Sequence, residues 1–394
     1  MRLHPIRVAF FTDSYAEANG VARLSRALEA AAARRGLPFL SVHGGNSTRR
    51  VIQDSVQRLE LRRSPVAFHL EHDLSFDPLL WRHYAAVTRV LHEFRPDVIH
   101  VTGPSDVGQL GALLGHRMHV PMVFSWHTNL HQYAALRSSK WCRWLPRNAR
   151  GRLLAAVERR ALDATLFFYR IPRAVLAPND DLVTLLAHRT GKPAHLMAHG
   201  VDADLFAPRP RDDDRSCVRI GFVGRLSAEK QVRLLADVDR ALRTRGDARF
   251  QFVVIGDGSE RAWLQQAMPA AEFPGVLEGE RLARAYASLD LFAFPSRSET
   301  FGLAVLEAMA SGVPVVAMAH GGPRFVVEHG ISGWLARDEA EFVDAAVMLA
   351  RDAALRRRLG AGARARALRW SWDAVLDRLY DVYDQALQQN VRAA

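Results

Sequence analysis

Two cysteines in 394 residues, Cys142 and Cys217, are too few and too far apart for a disulfide framework or a thiolate metal site. They point to a reducing compartment. Equally missing is any uninterrupted apolar run of about 18 residues or more, so nothing in the chain spans a bilayer as a helix. Met1 to Phe11 enters a strand-like run directly, without the apolar core and small-residue cleavage site of a secretory signal. The expectation is a cytoplasmic protein. Disorder is excluded by composition, since 49% of residues are hydrophobic and 9% aromatic, and the length allows two domains with full-sized cores.

Charge is plentiful but uneven. The formal net charge is +11; residues 1–199 hold 27 Lys+Arg against 15 Asp+Glu, and residues 200–394 hold 26 against 27. The whole excess therefore belongs to the first half, which suits a polyanion or an anionic membrane surface. Residues 137–160 concentrate it, with eight basic residues and one acid interleaved with Trp141, Trp144, Leu145, Leu153 and Leu154. That mixture suits a helix lying on an anionic membrane, and makes the cytoplasmic face of a membrane an expected location. A nucleic-acid-binding protein is the weaker alternative, because aromatic platforms interleaved with basic strands are not seen.

Short apolar runs alternate with helical periodicity and glycine-bearing turns, the pattern of parallel sheets with crossover helices. Val8–Phe11, Val98–Val101 and Met122–Ser125 read as strands of a first half, with a helix over Val21–Arg35. The pattern restarts with strands Val218–Val223, Phe250–Ile255, Leu291–Phe294 and Val313–Ala317, and a helix over Gln231–Arg245. The expected fold is α/β, with two Rossmann-like doubly wound domains at 1–198 and 217–371, a linker at 199–216 and a final helix at 372–394. Asp212-Asp213-Asp214 in the linker reads as solvated charge. Asp202 with Asp204, and Asp237 with Asp239, place carboxylates two apart, but neither pair ends a buried strand where a metal-bridged diphosphate would sit; no metal or cofactor is expected.

The richest segment runs from Pro295 to Gly312 and carries Glu299 and Glu307 eight positions apart. Leu303 to Ala310 reads as a buried helix capped by Gly312, so Glu299 stands at its mouth. The amides of Phe301, Gly302 and Leu303 would point out of that mouth and, with the helix dipole, form an anion site. Carboxylates beside an anion site fit a ligand with hydroxyls at both ends and phosphates in the middle, as in a sugar diphosphonucleotide. Gly224, Arg225 and Lys230 occupy a strand-to-helix loop at a sheet edge, with a planar fork and a point charge for phosphate oxygens. Gly256 opens the turn Gly256-Asp257-Gly258. In the first half, Gly20 would let a backbone amide approach a phosphate. The strand ending in Ser125 delivers His127 to the top of its sheet, with Asn129 and Tyr133 nearby.

Together Arg225 with Lys230, the Glu299 to Glu307 spacing, Gly256-Asp257-Gly258, Ala310 to Val316, Gly321-Gly322, His199-Gly200-Val201-Asp202 and His127-Thr128 resemble a retaining GT-B glycosyltransferase of family 4. The likeness covers nearly the whole chain and is similar to glycolipid-forming members that transfer mannose or glucose. It implies two domains facing across a cleft, the donor held by the second, the acceptor by the first, and the final helix crossing back onto the first. It also implies that Arg225 and Lys230 bind the donor diphosphate, Glu299 the transferred sugar and Glu307 the ribose. Gly20 would approach the phosphate and His127 the sugar on the acceptor side. Such enzymes retain anomeric configuration and usually need no metal. Two positions depart from the pattern: Asn19-Gly20 replaces paired glycines, and Arg324 follows Gly322-Pro323 where an acidic residue is common. A nucleotide-sugar epimerase of the same architecture is the rival enzyme.

Overall fold

The computed structural model describes residues 4–12, 14–17, 19–71, 74–127, 138, 146–210, 217–246 and 249–391. The chain divides into two compact units, one formed by Met1–Ala198 with Asp373–Ala394, the other by His199–Trp372.

The described residues of the first unit form ten strands: β1 (Val8–Thr12), β2 (Phe39–Gly45), β3 (Arg49–Gln53), β4 (Val56–Arg62), β5 (Phe68–Glu71), β6 (Leu74–Phe76), β7 (Val98–Val101), β8 (Met122–Ser125), β9 (Ala174–Ala177) and β10 (Ala194–Leu196). Eight of them form one sheet in the order β10-β9-β8-β7-β1-β2-β4-β3, parallel except for the β3–β4 pair; β5 and β6 form a separate hairpin. β1, β7, β8 and β9 are buried along their whole length, which is why each reads as a continuous apolar run and not as an alternating one. The helix Gly20–Arg34 starts where Asn19 Oδ1 accepts the amide of Ala22, and Asn179 caps the helix Asp180–Thr190 in the same way through Leu182. The last helix, Trp372–Val391, buries Val375, Leu376, Leu379, Val382, Tyr383, Ala386 and Leu387 on one stripe within this unit. Its exposed side is tied by Arg34 to Asp373 at 3.4 Å and by Arg35 to Asp377.

The second unit is a six-stranded parallel sheet of β11 (Cys217–Val223), β12 (Arg249–Ile255), β13 (Glu272–Gly275), β14 (Leu291–Phe294), β15 (Val315–Met318) and β16 (Gly333–Ala336). Its order, β13-β12-β11-β14-β15-β16, is that of a Rossmann sheet and puts the reversal of winding between β11 and β14. The helix Leu303–Ala310 matches its expected span, and Val305 to Ala310 are all buried, which explains why all its residues but Glu307 are apolar. Gly312 follows it with φ +75°, and the Val313 amide returns to the carbonyl of Ala308. That cap delays the next strand: Val313 is spent on the helix end and Pro314 has no amide, so β15 begins at Val315 and not at Val313. The helix expected over Gln231–Arg245 begins at Leu234, because Ala228–Lys230 forms a 3-10 turn and Gln231 stands at φ +51°.

Backbone contacts fix the loops at the carboxyl edge of this sheet. Gly224 donates its amide to Ile255, and a Cβ on Gly256 would stand 2.0 Å from the carbonyl oxygen of Gly224. Gly256 also has φ +136°, so alanine there meets both strain and a rigid backbone clash. The Gly256→Ala variant is expected to lose on the order of 2–4 kcal/mol of stability, measured by urea unfolding against the wild type.

Candidate active site

Open α/β sheets bind ligands at the carboxyl ends of the strands flanking the winding reversal. In the second unit those are β11 and β14, and the loops that leave them hold Arg225, Lys230 and Glu299. The two loops are joined by charge. Lys230 Nζ pairs with Glu299 Oε2, and both side chains are largely covered, 15% and 25% exposed. Ser298 Oγ donates to the carbonyl of Glu229 at 3.2 Å, Ser227 Oγ to the Glu229 carboxylate at 2.5 Å, and Arg225 Nη1 lies 3.9 Å from the same carboxylate. Gly224, with φ +156°, turns the chain from β11 into this loop.

A third loop, after β15, sets the backbone of the glutamate segment. The Gly322 amide donates to the carbonyl of Glu299 at 2.6 Å, and a Cβ on Gly322 would stand 2.3 Å from backbone atoms of Phe301. Phe301 itself is buried, with its ring 4.9 Å from His199 and 5.5 Å from Trp370. Its side chain therefore anchors the loop, while the amides of Phe301, Gly302 and Leu303 head the helix and have no intrahelical acceptor by its geometry. Gly302 takes φ +97° to make that entry, and the first helical bonds run from Val305 and Leu306 to its carbonyl.

The two glutamates are not brought together. Glu299 faces Lys230, whereas Glu307 is buried and accepts the Tyr286 hydroxyl at 3.0 Å. The expectation that Glu307 takes ligand hydroxyls meets a carboxylate already holding a hydroxyl of the protein. Gly20 is the first residue of its helix, and nothing lies within 4 Å of where its Cβ would stand, so the protein's own packing does not demand glycine there. Carboxylates considered for metal are otherwise engaged: Asp202 accepts the amides of Asp204 and Leu205, Asp237 pairs with Arg240, and Asp239 with Arg243.

In the first unit, His127 follows β8 and is buried. Its Nε2 lies 2.7 Å from Ser125 Oγ, which lies 2.7 Å from His100 Nε2, and His100 Nδ1 lies 2.6 Å from the Tyr383 hydroxyl. Tyr169 adds a bond from its hydroxyl to the Ser125 carbonyl at 2.9 Å. Thr128, Asn129 and Tyr133 lie outside the described residues, as do Cys142, Arg137 and residues 139–145 of the basic segment, and the aspartates 212–214. Residues 147–160 of the basic segment belong to the helix Arg147–Phe168, where Leu153 is 41% exposed.

Sequence reasoning missed His199, Ser227, Ser298 and Tyr286 as parts of these arrangements. One signal for Lys230 went unused: of 53 Lys+Arg only Lys140, Lys192 and Lys230 are lysines, and Lys230 is the single lysine of the second unit. A chain that meets nearly every other need for positive charge with arginine keeps an ammonium here, where a compact point charge differs most from a planar fork.

Two α/β units on largely parallel sheets, the second wound in Rossmann order, are the architecture of the GT-B glycosyltransferases. Residues 18–205 match Glycosyltransferase Family 4, and residues 217–352 match glycosyl transferases group 1. A GDP-mannose-dependent alpha-mannosyltransferase of Mycolicibacterium smegmatis is 35% identical over 316 residues, which cover 77% of this chain and 78% of that protein. The chain belongs to this glycosyltransferase family and is a transferase. Among solved structures, sucrose-phosphate synthase from Thermosynechococcus elongatus shares the fold with a TM-score of 0.72 at 19% identity, covering 98% of this chain and 100% of that one. Anabaena HepE in complex with UDP-glucose does so with a TM-score of 0.69 at 18% identity, covering 96% and 100%. The epimerase alternative finds no support in these relatives.

Two buried histidines give the protein a pH dependence. Burial pushes His100 down to about 3 and His199 down to about 4, with the Glu299 carboxylate opposing the shift at His199. Both are neutral when folded and take up a proton on unfolding below the ordinary histidine value, so stability is complete above pH ~6.5 and falls as the pH drops toward the folded values. The loss from pH 7 to pH 5 is roughly 2 kcal/mol for each histidine. Urea unfolding at the two pH values is expected to show it, with a flatter dependence in the His199→Asn variant.

Proposed function

We propose that the chain is a retaining hexosyltransferase that moves a mannose- or glucose-type hexose from a nucleotide-diphosphate sugar to a membrane lipid or lipid-linked saccharide, without a metal ion. The observation that carries this reading is the meeting of Lys230, Glu299 and the helix mouth at the winding reversal of the second sheet. Family membership and the donor named for the mycobacterial relative support a nucleotide-linked hexose. In this reading the diphosphate takes Lys230 and Arg225, and Glu299, released from Lys230, accepts hydroxyls of the sugar. The same two cations then stabilise the charge that grows on the departing diphosphate, and the amides of Phe301, Gly302 and Leu303 add fixed dipoles that need no reorganisation. With no dedicated nucleophile assigned, the acceptor attacks on the face that the leaving phosphate vacates, and that phosphate takes the acceptor's proton. His127, Asn129 and Tyr133 are assigned to the acceptor, Gly20 and Gly256 to close backbone approach on the donor side, and Glu307 to the ribose.

The lipid acceptor rests on composition. The basic residues of 137–160 would each add about 1 kcal/mol of attraction at an anionic surface, and no helix among the described residues is long and apolar enough to cross a membrane. Peripheral attachment is the matching mode.

Glu299→Ala is expected to abolish transfer with the fold intact, and a fully active variant would end the assignment. Lys230→Ala removes a charge-assisted bond of about 1.5–3 kcal/mol, or about 10- to 150-fold in kcat/KM. Lys230→Arg is expected not to restore the rate, because a fork cannot replace the point charge without moving the diphosphate. A thermal-shift panel of nucleotide sugars identifies the donor by the stabilisation that binding brings. For the membrane, sedimentation with anionic vesicles at low salt and release at high salt are expected; failure to sediment excludes the surface.

A further inference from the structure

Four buried polar groups of the first unit form a line: Tyr383 on the last helix, His100 on β7, Ser125 at the end of β8, and His127 just beyond it. The line ends on the histidine assigned above to the acceptor. What each member can donate decides what the last one can do.

Tyr383 and His100 are both fully buried. Burial holds the Tyr383 hydroxyl protonated and His100 neutral, so the first brings one O–H and the second one N–H and one lone pair. Among the described residues the partner of the Tyr383 hydroxyl is His100 Nδ1; the hydroxyl of neighbouring Tyr380 is buried without a hydrogen bond and does not take it. If Tyr383 donates, His100 accepts at Nδ1 and carries its proton on Nε2. That N–H then donates to Ser125 Oγ, and the Ser125 O–H is left to donate to His127 Nε2. A neutral His127 whose Nε2 accepts has its proton on Nδ1. The opposite polarity would send N–H from His127 to Ser125, O–H from Ser125 to His100, and N–H from His100 to Tyr383, leaving both the buried Tyr383 proton without an acceptor among the described residues and the buried Nδ1 of His127 as a bare lone pair, whereas the first polarity leaves only the N–H on that Nδ1 to be placed. A doubly protonated His127 requires that same reversal.

We propose that Tyr383, through His100 and Ser125, holds His127 in the tautomer with its proton on Nδ1, an atom that is covered in the ligand-free chain, so that a ligand reaching His127 there meets a hydrogen-bond donor and not a general base. Tyr383, His100 and Ser125 are positioning residues; none is assigned contact with a ligand. The groups that suit such a donor are oxygen acceptors, as on a sugar or a phosphate. This last step rests on the reading of His127 given under the proposed function, whereas the tautomer does not.

Nitrogen-15 NMR of the ligand-free full chain, labelled at histidine, tests the tautomer, with the His127 signals identified by their loss in His127→Asn. The wild type is expected to show His127 protonated at Nδ1 and bare at Nε2. Ser125→Ala removes the donor to Nε2 and is expected to swing His127 toward the other tautomer while His100 still accepts from Tyr383. A wild-type His127 protonated at Nε2 overturns the proposal, and so does an unchanged His127 in Ser125→Ala. No substrate enters this experiment, so a failure of the transferase reading leaves its result standing. In a transfer assay, Tyr383→Phe is expected to lower kcat several-fold with the donor KM unchanged; a wild-type kcat overturns the link between the network and the ligand.

Discussion

The site depends on backbone lying directly on backbone. Gly256 against Gly224, and Gly321 and Gly322 against Glu299 and Phe301, bring separate loops to distances that no side chain could share. A loop held this way has little freedom in the position of its Cα atoms, and side chains that grow from it inherit that precision. Phe301 completes the arrangement by burying its ring beside His199 and Trp370. The polar and apolar parts of the glutamate segment therefore do separate jobs: one residue anchors, its neighbours face outward.

On that frame, charge is held in pairs. Lys230 and Glu299 are each partly covered, and either one alone would be a poorly solvated charge. Paired, each neutralises the other's charge. Glu307 keeps a similar arrangement with a neutral partner, the Tyr286 hydroxyl. The first unit solves the problem differently, with buried neutral groups in a line and the polarity of the line fixed at its far end by a tyrosine.

Much of this was legible in the sequence because fully buried parallel strands are short apolar runs. Val98–Val101, Met122–Ser125, Leu291–Phe294 and the helix Leu303–Ala310 have the spans read from periodicity alone. Boundaries shifted where the backbone did something periodicity does not encode, as at Gln231 with its positive φ or at Val313, whose amide caps a helix. Residue types and their places at strand ends pointed to Arg225, Lys230 and Glu299, but the pairing of Lys230 with Glu299 spans 69 positions and no local pattern announces it. The link from His100 to Tyr383 spans 283 and belongs to tertiary packing entirely.

The last helix belongs to the first unit although the whole second unit stands before it in the chain. Synthesis from the N-terminus makes β1 to β10 first, yet the residue that satisfies His100 is made only after residues 199–372. Domains made in sequence ordinarily fold in sequence. Until the last helix is made, His100 lacks both the Tyr383 hydroxyl and the helix that packs over it. A fragment cut at residue 198 would lack both, so the first unit is a unit of structure without being a unit of biosynthesis.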